Sequence, residues 1–160
     1  MMVDYNEKQF KSVSAGDLDL ETPGLSGKPR EEKEEMKAKA EESKDMFAFM
    51  KESLGGKVKD VRLSKILKSH AVCLTSDGLL SIEMEKVLSQ MPAEHDAKAE
   101  KVLEINAEHP IYETLKKLYE TDKDKLKTYS EILYDQALLV EGMPIEDPVE
   151  YSNKICSLMV

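Results

Sequence analysis

The stretch from Asp122 to Val160 sets the tightest constraint on how this chain can fold. Ile132, Leu133, Tyr134, Ala137, Leu138, Leu139 and Val140 form one run broken only by Asp135 and Gln136, so a helix there is apolar on almost every side. A lone surface helix buries a single stripe. After Gly142 and Pro144 comes a second helix signal, with Asp147 as N-cap, Pro148 at the first helical position and Glu150 three residues past the cap. Its body, Val149, Tyr151, Ile155, Cys156, Leu158 and Met159, again offers two apolar faces. Two helices that each need two buried faces call for a partner beyond their own domain.

A chain of 160 residues holds one domain, or one domain with an appendage, and buries a real core. Its formal net charge of -9 argues against a nucleic-acid surface, which is built on an excess of Lys and Arg. The lysines are interspersed with acids, which disfavours an anionic membrane. No apolar run approaches the roughly 20 residues that span a bilayer, and the N-terminus lacks the apolar core of a signal peptide. The expected location is therefore the cytoplasm. Cys73 and Cys156 both lie in apolar stretches, so buried, reduced thiols are expected.

Residues 1–30 have linker composition: one strand-like piece, Gln9 to Val13, then Gly16, Pro23, Gly24, Gly27 and Pro29 among polar residues. Tyr5, Phe10 and Val13 have no neighbouring strand signal to pair with, so the piece is expected to be loosely docked. From Glu31 a helix is expected to about Leu54, with Met36, Ala40, Phe47, Met50 and Leu54 at three-to-four spacing and Gly55-Gly56 as its left-handed stop. Val58 to Leu63, Ala71 to Thr75 and Val102 to Asn106 read as three strands, which with flanking helices make a small α+β core. Between the second and third, Leu80, Met84, Val87, Leu88 and Met91 line one face of a short amphipathic helix. That stripe is either packed on the sheet or an exposed, adaptable apolar surface of the kind methionine suits. Glu108-His109-Pro110 leads into a further helix with Ile111, Leu115 and Leu118 inward, and Asp122 to Asp124 breaks the pattern before the terminal pair.

Catalytic chemistry finds no support. His70 and Cys73 point to opposite faces of an extended strand, and no activating feature accompanies them. His95 and His109 lack ligand companions at metal spacing, so exposed or capping roles are expected. Gly55-Gly56 follows a helix where a phosphate loop precedes one. Glu83 and Glu85 sit two apart, which suits a solvated helix face.

The run Leu103-Glu104-Ile105-Asn106-Ala107-Glu108-His109-Pro110-Ile111, the run Asp135-Gln136-Ala137-Leu138-Leu139 and the trio Glu146-Asp147-Pro148 resemble, in order and spacing, the C-terminal domain of the heat-shock protein 90 chaperone family. Val58 to Ser64 is similar to that domain's first strand, and the ending at Val160 to that of bacterial members. The resemblance implies a division into residues 1–30, a linker and remnant of the preceding middle domain, and residues 31–160, a C-terminal dimerisation domain. It implies a non-enzymatic module of an ATP-dependent chaperone acting in the stress response and protein folding. The module carries no cofactor, and ATP and Mg belong to an N-terminal domain this chain does not contain. It further implies a homodimer closed by an intermolecular four-helix bundle, with Leu133, Ala137, Leu138, Leu139, Val140, Tyr151, Ile155, Leu158 and Met159 at the interface. Leu80, Met84, Val87, Leu88 and Met91 match the segment proposed to touch unfolded or partly folded client proteins. The chain lacks the acidic Met-Glu-Glu-Val-Asp tail of cytosolic eukaryotic relatives, so no tetratricopeptide co-chaperone is expected. The alternative that composition favours equally is a free-standing helical scaffold or adaptor.

Overall fold

The structure, a computed structural model, describes residues 4–5, 8–9, 38–64, 67–78, 80–90 and 98–160. Near the N-terminus β1 (Asp4–Tyr5) and β2 (Lys8–Gln9) pair antiparallel, with Asp4 opposite Gln9. This corrects the expectation that the strand-like piece has no partner; the remainder of that piece, residues 10–13, lies outside the described residues.

Residues 38–42 are helical and run through Ser43 into α1 (Lys44–Ser53), because Ser43 N–H donates to Lys39 O at 3.1 Å and Phe47 N–H to Ser43 O at 2.9 Å. The Ser43 hydroxyl lies 2.7 Å from the Tyr112 hydroxyl, which also donates to Lys39 O at 3.3 Å. That bonding lets a fully buried tyrosine keep its polar end satisfied. Phe47, Met50 and Leu54 face the core and Ala40 packs against it, as their spacing predicts; Met36 lies outside the described residues, and Met46, absent from the expected stripe, is buried as well. Gly55 and Gly56, at φ 59° and 85°, then turn the chain through conformations a side chain rarely adopts.

β3 (Asp60–Leu63), β4 (Val72–Ser76) and β5 (Lys101–Ile105) form one sheet in the order β3-β5-β4. β5 is central, parallel to β3 and antiparallel to β4. The register places Val61, Leu63, Val72, Leu74, Leu103 and Ile105 on one face, and all six enter the core. The other face carries Arg62, Cys73, Thr75, Val102 and Glu104.

α2 (Ile82–Ser89) lies between β4 and β5 in sequence, and α3 (Pro110–Thr121) follows β5. His109 caps α3, its Nδ1 accepting from Ile111 N–H at 3.2 Å, with Pro110 at the first turn. The terminal pair is α4 (Lys123–Val140) and α5 (Pro148–Leu158). Tyr112 and Leu115 of α3 and Leu126, Leu133, Tyr134, Ala137 and Leu138 of α4 complete the core beside α1 and the sheet. The α+β class and the three-stranded sheet agree with the spacing. Among the described residues no helix is long and apolar enough to cross a membrane.

Candidate interaction surfaces

α4 begins where Asp122 accepts from Lys125 N–H at 3.0 Å. Leu126, Ser130, Leu133, Tyr134, Ala137 and Leu138 recur every three or four residues and make its buried stripe. Leu133, Ala137 and Leu138, expected to meet a partner, are thus 3%, 0% and 5% exposed inside the chain's own core. Near-total burial leaves them no apolar area for a second contact. Leu139 and Val140, on the other side of the last turn, stay 49% and 58% exposed.

α5 follows a turn in which Gly142 N–H donates to Leu139 O and Met143 N–H to Leu138 O, with Gly142 at φ 69°. Asp147 caps it, its Oδ1 accepting from Val149 N–H at 3.0 Å and Glu150 N–H at 2.9 Å, as Asp147 followed by Pro148 and Glu150 predicts. No residue of α5 is buried. Tyr151, Lys154, Ile155 and Leu158 form a half-buried side, with Lys154 bridging Glu131 of α4 at 2.8 Å and Glu150 at 2.6 Å. Val149, Ser152, Cys156 and Met159 form an outward side, with Val149 69% and Met159 80% exposed. Val149 and Cys156 were not among the expected interface residues and are exposed; the sequence shows α5 to be apolar on two sides but not which side its own chain occupies.

Where α5 meets the body, a cleft of about 150 Å³ is lined by Lys57, Tyr134, Asp135, Glu146, Glu150 and Lys154, among others. Lys57 Nζ donates to Glu146 Oε2 at 2.7 Å, raising the Lys57 pKa and lowering that of Glu146. Burial raises the pKa of Asp135, opposed by the nearby charges of Lys57 and Lys154. Burial also pushes the Tyr134 hydroxyl up to about 12. These ion pairs tie α5 to α4 and to the loop after α1.

α2 is capped by Ser81, whose Oγ accepts from Met84 N–H at 3.2 Å. Only Ile82 of its described side chains is buried. Leu80 and Leu88 are partly covered, whereas Met84 and Val87 are 52% and 55% exposed; Met91 lies outside the described residues. Of the two readings of this stripe, the exposed one holds for Met84 and Val87. Glu85 departs from the solvated role expected of it, because its carboxylate accepts from Ala99 N–H at 2.8 Å and from Lys101 Nζ at 2.7 and 2.8 Å.

The residues weighed for chemistry stay apart or bonded. His70 is exposed, His109 is a cap and His95 lies outside the described residues. Cys73 is half-buried, and burial, followed by the Glu104 charge, pushes its thiol up to about 12, which keeps it protonated and unreactive. Cys156 is exposed, contrary to expectation, because α5 turns that side away from the body. Arg62 holds the buried Glu104 through Nε at 3.1 Å and Nη2 at 2.9 Å, with the Thr75 hydroxyl 3.2 Å away. Glu104 Oε2 has no hydrogen-bond partner. This cross-strand cluster depends on register, which the sequence does not display. Among the described residues no group of three or more His, Cys, Asp and Glu side chains is placed to hold a metal ion.

The family model described as Hsp90 protein matches residues 1–160. The chain is 54% identical over 160 residues to the chaperone protein HtpG of Shouchella clausii, covering 100% of this chain and 24% of that protein. It is 54% identical over 159 residues to the chaperone protein HtpG of Clostridium acetobutylicum and 55% identical over 159 residues to that of Alkaliphilus metalliredigens. Each of these alignments covers 99% of this chain and 24% of the relative. The chain therefore spans about a quarter of the length of the curated relatives it matches.

Proposed function

The chain belongs to the Hsp90 protein family, and we propose that it acts there as the C-terminal homodimerisation module of an ATP-dependent chaperone, with residues 31–160 as the module. The observation that supports this most directly is α5. An eleven-residue helix that buries none of its own residues and leaves Val149 and its C-cap Met159 exposed, after a helix that ends with Leu139 and Val140 exposed, carries apolar surface its own chain does not cover. In a two-fold dimer each such patch meets its copy, and α4 and α5 of the two protomers form a bundle of four helices. Four side chains per protomer give eight per dimer. At roughly 1.5–3 kcal/mol for full burial of each, scaled to the 49–80% of these residues still exposed, the gross gain is comparable with the estimated 4–15 kcal/mol cost of association.

The wetter side of α5 is the one proposed to meet the partner, which shifts the interface from Leu133, Ala137 and Leu138 to Leu139, Val140, Val149 and Met159, with Tyr151, Ile155 and Leu158 supporting from behind. Joining two copies at this end raises the effective concentration of whatever each copy carries. Nucleotide and Mg belong, on this reading, to residues outside this chain. Met84 and Val87 of α2, with Leu80 and Leu88 beside them, supply the contact for unfolded or partly folded client proteins.

Light scattering over a protein concentration series tests the dimer. Leu139→Glu and Val149→Glu should each give the monomer mass where the unaltered chain gives twice that mass; Val149→Glu adds an acid to the first turn of α5, where the helix dipole favours it. Alkylation of Cys156 should slow as concentration rises. Unchanged dimer affinity in both variants would overturn the interface and leave the free-standing scaffold as the better reading.

A further inference from the structure

α2 is seated against its own amphipathicity. At 100° per residue Ile82, Glu85 and Lys86 share the side turned to the body, while Glu83, Met84 and Val87 share the side turned to solvent. The inward side thus holds one apolar residue and two charged ones, and the outward side holds two large apolar residues. Hydrophobic burial alone favours the opposite roll, with Met84 and Val87 inward.

The polar contacts of the inward side account for the observed pose. The Glu85 carboxylate accepts three hydrogen bonds from two donor groups, one from the Ala99 N–H and two from the Lys101 ammonium, which reaches both oxygens, all within 2.8 Å. The Lys101 and Glu85 side chains are 8% and 12% exposed. Lys101 opens the central strand β5 on its core face, so its ammonium is fixed by the sheet. One helical position further on, Lys86 lies 3.7 Å from Glu141, the C-cap of α4. A buried ion pair adds little net stability against an apolar replacement, but it dictates orientation, since turning either partner away leaves a charge unpaired in a dry site.

We infer that Glu85 and Lys101 are positioning residues: their clasp at Ala99 holds α2 in the roll that keeps Met84 and Val87 facing outward, and so keeps an apolar docking face open that the fold would otherwise swallow. The inference rests on the proposed client contact for its use, and on the geometry of α2 alone for its existence.

Single reporter cysteines at Val87→Cys and Ile82→Cys, each in a Cys156→Ser background of the full 160-residue chain, read the roll through alkylation rates. With the clasp intact, position 87 reacts fast and position 82 slowly. In Glu85→Gln and in Lys101→Met the two should move reciprocally, severalfold slower at 87 and severalfold faster at 82, and Lys101→Arg should restore the original pattern. Rates unchanged at both positions, or faster at both because α2 merely detaches, would overturn the inference. Glu85→Gln keeps the shape of the side chain, so it carries the test should Lys101→Met fail to fold. Suppression of aggregation of a denatured test protein, measured on the same clasp variants without reporters, separates the two levels. A reciprocal change with undiminished suppression removes the client reading and leaves the clasp standing.

Discussion

Leu133 and Leu139 lie six residues apart on one helix, one buried and one half exposed, and on the proposed function they serve different equilibria. Leu133 is 3% exposed among the core residues, so Leu133→Ala removes packing inside each protomer. The expected loss is about 2–5 kcal/mol, the range for truncating a buried leucine, with the cavity term included. With a urea slope of about 2 kcal/mol/M, typical for a chain of this size, the midpoint should fall by about 1–2.5 M. Leu139, 49% exposed in the protomer, has far less to lose within its own chain. Its truncation should act through association, because a dimer's unfolding midpoint depends on protein concentration by mass action. Urea unfolding at two protein concentrations a hundredfold apart separates the cases. Leu133→Ala should lower the midpoint equally at both, whereas Leu139→Ala should lower it at the high concentration and leave the dilute sample nearly unmoved. The reasoning fails if Leu133→Ala leaves the midpoint of the dilute sample in place, or if Leu139→Ala lowers that midpoint as far as Leu133→Ala does.

Asp147→Ala removes the acceptor for two N–H groups at the start of α5 and should cost about 0.5–2 kcal/mol of helix stability. Hydrogen exchange should rise at Val149 and Glu150 without rising at β5; equal protection in the variant would show that the cap is idle. Asp135 is held above its ordinary pKa by burial, so the folded state binds its proton more tightly than the unfolded chain. Its ionisation therefore weighs against the fold above that raised pKa, and its contribution becomes less unfavourable as pH falls through it. Asp135→Asn should raise the melting temperature at neutral pH and flatten the acidic limb contributed by this group, which a melting series from pH 4 to pH 8 reads directly. Glu146 acts in the opposite sense: its pKa is lowered by Lys57, so its contribution is present at neutral pH and lost as pH falls. In Glu146→Gln that small loss should disappear from the same series, the pair being mostly exposed. Cys73 should resist alkylation at pH 8 in the native chain and react only on unfolding, since its thiol is pushed up to about 12; rapid native labelling of a Cys156→Ser chain would contradict the burial that causes the shift.

Local order along the chain determined much of this protein. Three-to-four spacing marked the stripe of Ala40, Phe47, Met50 and Leu54, alternation marked the strands, and Asp147-Pro148 and His109-Pro110 marked helix starts, because caps and periodicity are fixed by neighbours a few residues away. The run Leu133 to Val140 likewise announced a helix with more than one apolar side. Which side meets which neighbour is a matter of how elements are placed, and only the tertiary structure decided it. Leu133, Ala137 and Leu138 went to the chain's own core, while Leu139 and Val140 stayed outside, because α1, α3 and the sheet occupy one side of α4 and leave the other. The same holds for α2. Its apolar stripe was legible, but its roll was set by Lys101, sixteen residues further on and brought beside Glu85 by the central strand, a long-range electrostatic contact that no local periodicity records.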